Sequence, residues 1–213
     1  MDFGYTTAYS LLNIDETIER YAPRNRHKPN FQHTDRNEHI RLFSQINNAV
    51  LNNGNGLHDI EYFNPAGQRL GTLLHKQEVN HLQDVSTLIQ RWHWFGALPT
   101  LLLITCIGWA WRKNIPPPSL LSWTLGVISW PMIIGVVLGL LGPTTVFYTL
   151  HEWIFPPDHP WFFYYEDSLM TTLMKAPDLF GWIACVWLIS ACTLCGFIGV
   201  AWQQLWALNK RKR

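Results

Sequence analysis

No covalent nucleophile or nucleotide cradle announces itself in this chain, which has no G-x-S-x-G elbow, no H-E-x-x-H helix, no P-loop and no G-x-G-x-x-G turn. No cofactor, resident metal, nucleotide or nucleic acid is expected as a partner. Cysteine is scarce and ill placed for a disulfide framework, because Cys106, Cys185, Cys192 and Cys195 all lie in apolar runs. Cys192-x-x-Cys195 falls on one helical face and reads as a pair of small packing residues rather than a redox or metal site. Apolar sequence is itself lacking before residue 95, so no signal peptide or signal anchor is visible there.

Charge is the most informative absence. A mean hydropathy of -0.01, 15% charged residues and a net charge of +1 look like a soluble domain. Yet no Asp, Glu, Lys or Arg falls within Phe95 to Trp111, Ser119 to Leu150 or Leu179 to Leu208. About 20 apolar residues of helix cross a hydrocarbon core. The second and third runs are ample, and the first reaches the needed length with Trp92 and Trp94 at its edge. Trp130 and Trp187 lie well inside the runs and the other tryptophans at or near their ends, where an indole prefers the membrane interface. A soluble core enclosing all three runs would be too large for 213 residues.

Basic residues then orient the spans. Arg112 and Lys113 join the first two, and Lys210, Arg211, Lys212 and Arg213 close the chain, so both places are expected to be cytoplasmic. The connection from His151 to Asp178 holds one Lys against five acids and is expected to face outward with the N-terminal region. Export of that region with no apolar segment ahead of it leads to the expectation of a further helix before Asp2.

Ahead of the spans, Asn37 to Asn52 has helical periodicity, with Ile40, Phe43, Ile46, Ala49 and Val50 on one face and Asn53-Gly54-Asn55-Gly56 after it. Leu57 to Phe63 and Gln68 to Leu74 read as strands flanking Asn64-Pro65-Ala66-Gly67, a hairpin with which Tyr5 to Leu12 is expected to pair. The fold expected is an α-helical membrane bundle with a small extracytoplasmic α+β cap. Its parts are the cap, 1–75; an amphipathic helix leading into the membrane, 76–94; a span, 95–111; a cytoplasmic loop, 112–118; a span, 119–150; an outward loop, 151–178; a span, 179–208; and a basic tail, 209–213.

Chemistry concentrates in two places. Glu78, His81 and Asp84 recur at three-residue spacing along one side of the 76–94 helix, and His151 begins the outward loop. Two histidines on one side of a membrane can act as an acid/base pair, since imidazole titrates near neutral pH. On spacing alone, each is more readily read as an amphipathic interface residue. His27, His33, His39, His58 and His75 are scattered through polar sequence, and His93 and His159 flank interfaces beside Trp, so all seven are read as solvated. Glu78-x-x-His81 with His151-Glu152 also has the outline of a di-iron bundle site, which makes a metal-dependent membrane enzyme using Glu78, His81 and His151 the main rival. Against that rival, the spans hold no carboxylate.

Glu78-Val79-Asn80-His81-Leu82-Gln83-Asp84-Val85, with Phe147 to His151, Trp161, Asp167-Ser168-Leu169 and Pro177-Asp178-Leu179-Phe180 downstream, resembles the bacterial lipoprotein intramolecular transacylase family. The likeness runs from about Tyr5 onward and takes in Tyr62-Phe63-Asn64-Pro65; the H-L-x-D-V element is its most specific part. It implies a four-helix membrane core under an outward cap, and an enzyme of the bacterial inner membrane whose substrate is a diacylated lipoprotein N-terminus among phospholipid. The implied reaction moves the sn-2 acyl chain onto the α-amino group of the same cysteine, leaving a lyso-form. Its implied essential histidines fall on His81 and His151, with Glu78, Asp84, Trp161, Asp167, Tyr62 and Asn64 as supporting residues. The chain departs from the family in lacking a first helix before Asp2, and in Tyr164-Tyr165-Glu166-Asp167 where some members have an Asp-Pro version.

An intramolecular O-to-N acyl shift brings its own nucleophile and its own acyl donor, which agrees with the missing nucleophile and nucleotide motifs. What remains for the protein is positioning, proton transfer and oxyanion stabilisation. His81, steadied by Asp84 or Glu78, is expected to take the ammonium proton while His151 polarises the carbonyl or protonates the leaving oxygen. The reverse assignment stays open, as does a non-catalytic envelope binding or assembly protein.

Overall fold

A computed structural model describes residues 3–211, the side chains of His93 and Trp94 excepted. The readings made above for those two side chains, for the chain start and for Lys212 and Arg213 lie outside the described residues. The elements run α1 (Tyr5–Leu11), α2 (Ile14–Tyr21), α3 (Arg36–Leu51), β1 (Glu61–Phe63), β2 (Arg69–Thr72), α4 (Lys76–Arg112), α5 (Leu120–Leu141), α6 (Pro143–Ile154), α7 (Leu169–Met174) and α8 (Asp178–Arg211). The chain divides into two compact units, residues 1–93 with 151–183, and residues 94–150 with 184–213.

The first unit is more helical than expected. Tyr5 to Leu12 does not join the hairpin: Tyr5–Leu11 is α1, ended before Asn13, whose left-handed φ of 49° turns the chain into α2. Both helices use their apolar residues, Tyr5, Ala8, Ile14 and Ile18, against Leu42, Phe43 and Ile46 of α3 and Leu169 and Leu173 of α7. Tyr5 stacks on Phe43 with ring centroids 4.0 Å apart and donates its hydroxyl hydrogen to Leu173 O at 2.7 Å, so its one polar atom is satisfied in the core. α3 starts where Asp35 accepts from Glu38 N at 2.9 Å, a side-chain cap that satisfies one otherwise unpaired helix donor.

The hairpin is shorter than the two runs suggest. Leu57–Asp59 is a 3-10 turn, and antiparallel pairing is confined to β1 and β2, with the register shifting between Tyr62 and Phe63. The turn depends on Asn64, whose Oδ1 accepts from Ala66 N at 3.1 Å and Gln68 N at 2.9 Å.

In the second unit apolar side chains point outward. Large residues such as Leu140, Trp187 and Phe197 are 80%, 62% and 69% exposed, which in water would be costly. α4, α5 and α8 are each long and apolar enough to cross a membrane, which fits a membrane protein. The run 119–150 is not one helix: Gly142, at φ 81°, ends α5, and Pro143 begins α6. α5 and α8 meet where Trp123 Nε1 donates to Cys195 O at 2.8 Å. A methyl group at Gly199 would sit 2.4 Å from that indole nitrogen, so glycine is required there.

Candidate active site

α4 begins at a self-made cap. Glu78 is the third residue of the helix, and its Oε2 reaches back to accept from His75 N at 2.7 Å, one half of a capping box. The same oxygen binds the His75 ring at Nδ1. Its other oxygen accepts from Ser168 Oγ at 2.5 Å and Met170 N at 3.2 Å. Four donors therefore surround a carboxylate that is fully buried, and this is how a buried charge is tolerated. The hydrogen bond from Glu78 holds the His75 imidazole above its ordinary pKa.

Three residues on, His81 is packed among aromatic rings. Its centroid is 4.9 Å from Phe155 and 6.1 Å from Phe163. His151, near the end of α6, lies 5.3 Å from the same Phe155 and 4.8 Å from Trp161. Phe155 is buried and touches both imidazoles, so the two histidines are brought to one aromatic wall within the first unit. Burial pushes the His81 pKa down to about 4, the charge on His151 adds to that, and Asp84 opposes it. His81 is thus a neutral imidazole at physiological pH, with an acceptor nitrogen. Among the described residues neither of its ring nitrogens carries a hydrogen bond.

Three residues further, Asp84 turns to the chain segment after α6. His159 Nδ1 lies 2.6 Å from Asp84 Oδ2, a half-exposed ion pair whose hydrogen bond raises the His159 pKa.

Glu78, His81 and Asp84 do share one side of α4, but the carboxylates do not hold His81. Each ties down part of the irregular segment beside it: Asp84 takes His159 in its first half, and Glu78 takes Ser168 at its end and Met170 just beyond. Asp84 acts on the His81 ring through its charge, without a hydrogen bond to it among the described residues.

Other residues singled out in the sequence fall elsewhere. Asp167 pairs with Arg26 Nη1 at 3.1 Å and stands 3.7 Å from His27 Nε2, stapling residues 25–28 to the loop. Tyr62 is core: its hydroxyl donates to Pro29 O at 2.9 Å and its ring packs edge-on to Phe31. Asn64 shapes the hairpin turn. His39, read as solvated, is 5% exposed, with Tyr9 Oη at 2.9 Å from Nδ1 and Thr34 Oγ1 at 2.7 Å from Nε2. His75 and His159 were likewise read as solvated and are instead partners of the two α4 carboxylates.

Phe155, Phe163 and His159 were missed. Their only sequence signal is an aromatic-rich outward loop, FPPDHPWFFYY, following His151. Among the described residues, no three His, Cys, Asp or Glu side chains converge as a metal ion would need. With Glu78 enclosed by Ser168, Met170 and His75, the Glu78/His81/His151 ligand set is not assembled.

A neutral, partly buried imidazole that shares an aromatic wall with a second imidazole and offers an uncharged acceptor nitrogen can relay a proton between an amine and an oxygen. Residues 32–176 match a family model described as "Lipoprotein intramolecular transacylase Lit". Neither the curated proteins nor the solved structures contain a match.

Proposed function

The chain belongs to the lipoprotein intramolecular transacylase family, and from that premise we propose that it moves the sn-2 acyl chain of a diacylglyceryl-cysteine lipoprotein to the α-amino group of the same cysteine. The product is a lyso-form lipoprotein carrying an amide in place of one ester. Family membership makes it a transacylase acting on lipoproteins. The acyl position and the roles of the two histidines are our reading of the site.

The observation that carries this reading is the shared wall: His81 and His151 both pack on Phe155, and His81 is held neutral. The α-amine, whose ordinary pKa is about 8, gives up its ammonium proton to solvent, attacks the ester carbonyl as the neutral amine, and must then lose a second proton from nitrogen. His81 accepts that proton. The tetrahedral carbon then expels the sn-2 glycerol oxygen, and His151 delivers the proton it needs. One C–N bond forms, one C–O bond breaks, and passage of the proton from His81 to His151 restores both rings, so that from the neutral amine the net proton transfer is from nitrogen to the glycerol oxygen. Two imidazolium charges so close repel each other, which disfavours protonation of both rings at once and matches one donor and one acceptor. Phe155, Trp161 and Phe163 supply apolar surface to the lipid beside the reacting atoms. Ester-to-amide exchange runs downhill, so neither nucleotide nor acyl carrier is consumed.

On this reading the first unit faces the extracytoplasmic side of the bacterial inner membrane, where lipoproteins carry their lipid, and Lys210 and Arg211, in the last turn of α8, lie on the cytoplasmic side.

The test is mass spectrometry of a lipoprotein N-terminus from cells lacking other N-acylation. The wild-type chain yields lyso-form, and His81→Ala and His151→Ala each abolish it by about 100-fold or more. Acyl migration unchanged in both variants would point to a binding or assembly role and sink the dyad.

A further inference from the structure

The segment between α6 and α7 has no regular backbone hydrogen bonding, yet it carries Phe155, Trp161 and Phe163, three of the rings that surround the two histidines. Irregular chain does not hold rings in place unless its ends are fixed. One end is fixed by Glu78, in a fully buried set of hydrogen bonds. The other end continues from α6, and within the first half of the segment the Asp84–His159 pair holds the chain to α4 at 2.6 Å, with side chains 21% and 38% exposed. His159 lies midway between Phe155 and Phe163 in the segment, so its contact with α4 bears on both rings that touch His81, while Phe163 also packs edge-on against His75 at 5.9 Å.

We propose that His159 is a positioning residue for acyl transfer: its clasp on Asp84 seats the 155–163 strap so that Phe155 and Phe163 pack on His81 and hold it facing His151. The proposal rests on the acyl-shift reading for its catalytic consequence, but the clasp itself is a physical claim independent of turnover. The pair is partly exposed and contributes little to stability, as ion pairs at a surface generally do. Its effect is therefore on geometry, and small displacements of reacting groups cost far more in rate than in folding. The charged groups near His159 are Asp84 on α4 and Asp158 on the strap, and both favour its cationic, donor form.

The experiment uses the full chain in detergent micelles with a synthetic diacylglyceryl-cysteine lipopeptide. His159→Ala and Asp84→Asn are each expected to lower kcat by about 10-fold or more with KM changed little. The double variant is expected to lose no more than either single one, because both remove the same contact. His159→Lys, which restores a cationic donor, is expected to recover most of the loss. In parallel, the rate at which diethylpyrocarbonate modifies His81, read by mass spectrometry, is expected to rise by about 10-fold in His159→Ala as the strap loosens. Undiminished kcat in either single variant, multiplied losses in the double variant, a loss carried by KM, or no rescue by Lys overturns the positioning role. An unchanged His81 modification rate overturns the clasp whatever the turnover shows. A wild-type chain that produces no lyso-form while His159→Ala speeds His81 modification refutes the acyl-shift reading and leaves the clasp standing.

Discussion

Ser168 donates its hydroxyl hydrogen to Glu78 across 2.5 Å, joining residues 90 positions apart and fixing the loop before α7 to the first turn of α4. Ser168 Oγ in turn accepts from Thr171 N at 2.9 Å, so one hydroxyl caps α7 and ties it to α4. The acidic residue nearest His81 on its N-terminal side thus has its hydrogen bonds with the frame around the site.

Glu78→Ala is accordingly expected to act on folding. It strips the acceptor from Ser168 Oγ, Met170 N, His75 N and the His75 ring, and leaves buried donors unpaired, at a cost of about 3 kcal/mol or more. Limited proteolysis of membranes should show the 151–183 region cleaved far faster than in wild type, and the yield of intact protein should fall. Full stability with selective loss of turnover would instead make Glu78 a participant in proton transfer.

Local pattern explains which features could be read from sequence. The amphipathic repeat of Asn37 to Asn52 was enough to find α3, because 16 residues span several turns of one apolar face. α1 and α2, at 7 and 8 residues, are too short for a period to emerge, and Tyr5 to Leu12 looked as much like a strand. The three-residue spacing of Glu78, His81 and Asp84 placed them correctly on one side of α4, since helix geometry alone decides that. Their partners were not legible. His159 and Ser168 lie 75 and 90 positions downstream on irregular chain, and nothing local encodes which carboxylate an imidazole or a hydroxyl will meet.

Phe155→Ala tests the aromatic wall. Phe155 packs on both imidazoles, so removing it opens His81 to solvent and lifts the burial that depresses its pKa. The His81 pKa is expected to move up from about 4 toward its ordinary 6.5. The pH dependence of its diethylpyrocarbonate modification, which requires the neutral ring, should shift in the alkaline direction. Lyso-form production should fall by about 10-fold. A titration curve that stays where it was would show that Phe155 does not control the environment of His81.

Asp167 and Tyr62, both drawn from the family resemblance, are expected to matter for stability alone. The Arg26–Asp167 pair is 66% and 25% exposed, so Asp167→Asn should cost under about 1 kcal/mol. Tyr62→Phe loses the hydrogen bond to Pro29 O, worth about 1 kcal/mol. Turnover per folded enzyme should match wild type in both, once the folded fraction is measured by size-exclusion chromatography. A turnover defect at full folding would bring the residue concerned back into the substrate site.

His39 gives the clearest pH dependence. Burial pushes its pKa down to about 4, against the opposing charges of Asp35, Glu38 and Asp15, while the unfolded chain protonates near 6.5. The unfolded state therefore binds more protons than the folded one between those values, and stability must fall as pH drops from 6.5 to about 4. Above that window His39 is neutral in both states and contributes no slope. The full loss attributable to it is about 3 kcal/mol. His81, whose pKa is depressed to a similar value, adds a second loss of the same sign. Thermal unfolding in detergent should thus show a midpoint that declines through this window in wild type and declines more gently in His39→Gln. Gln keeps a hydrogen-bonding side chain between Tyr9 and Thr34 but takes up no proton. Identical slopes in the two proteins would mean that the buried ring is protonated in the folded state and that Tyr9 and Thr34 accept from it.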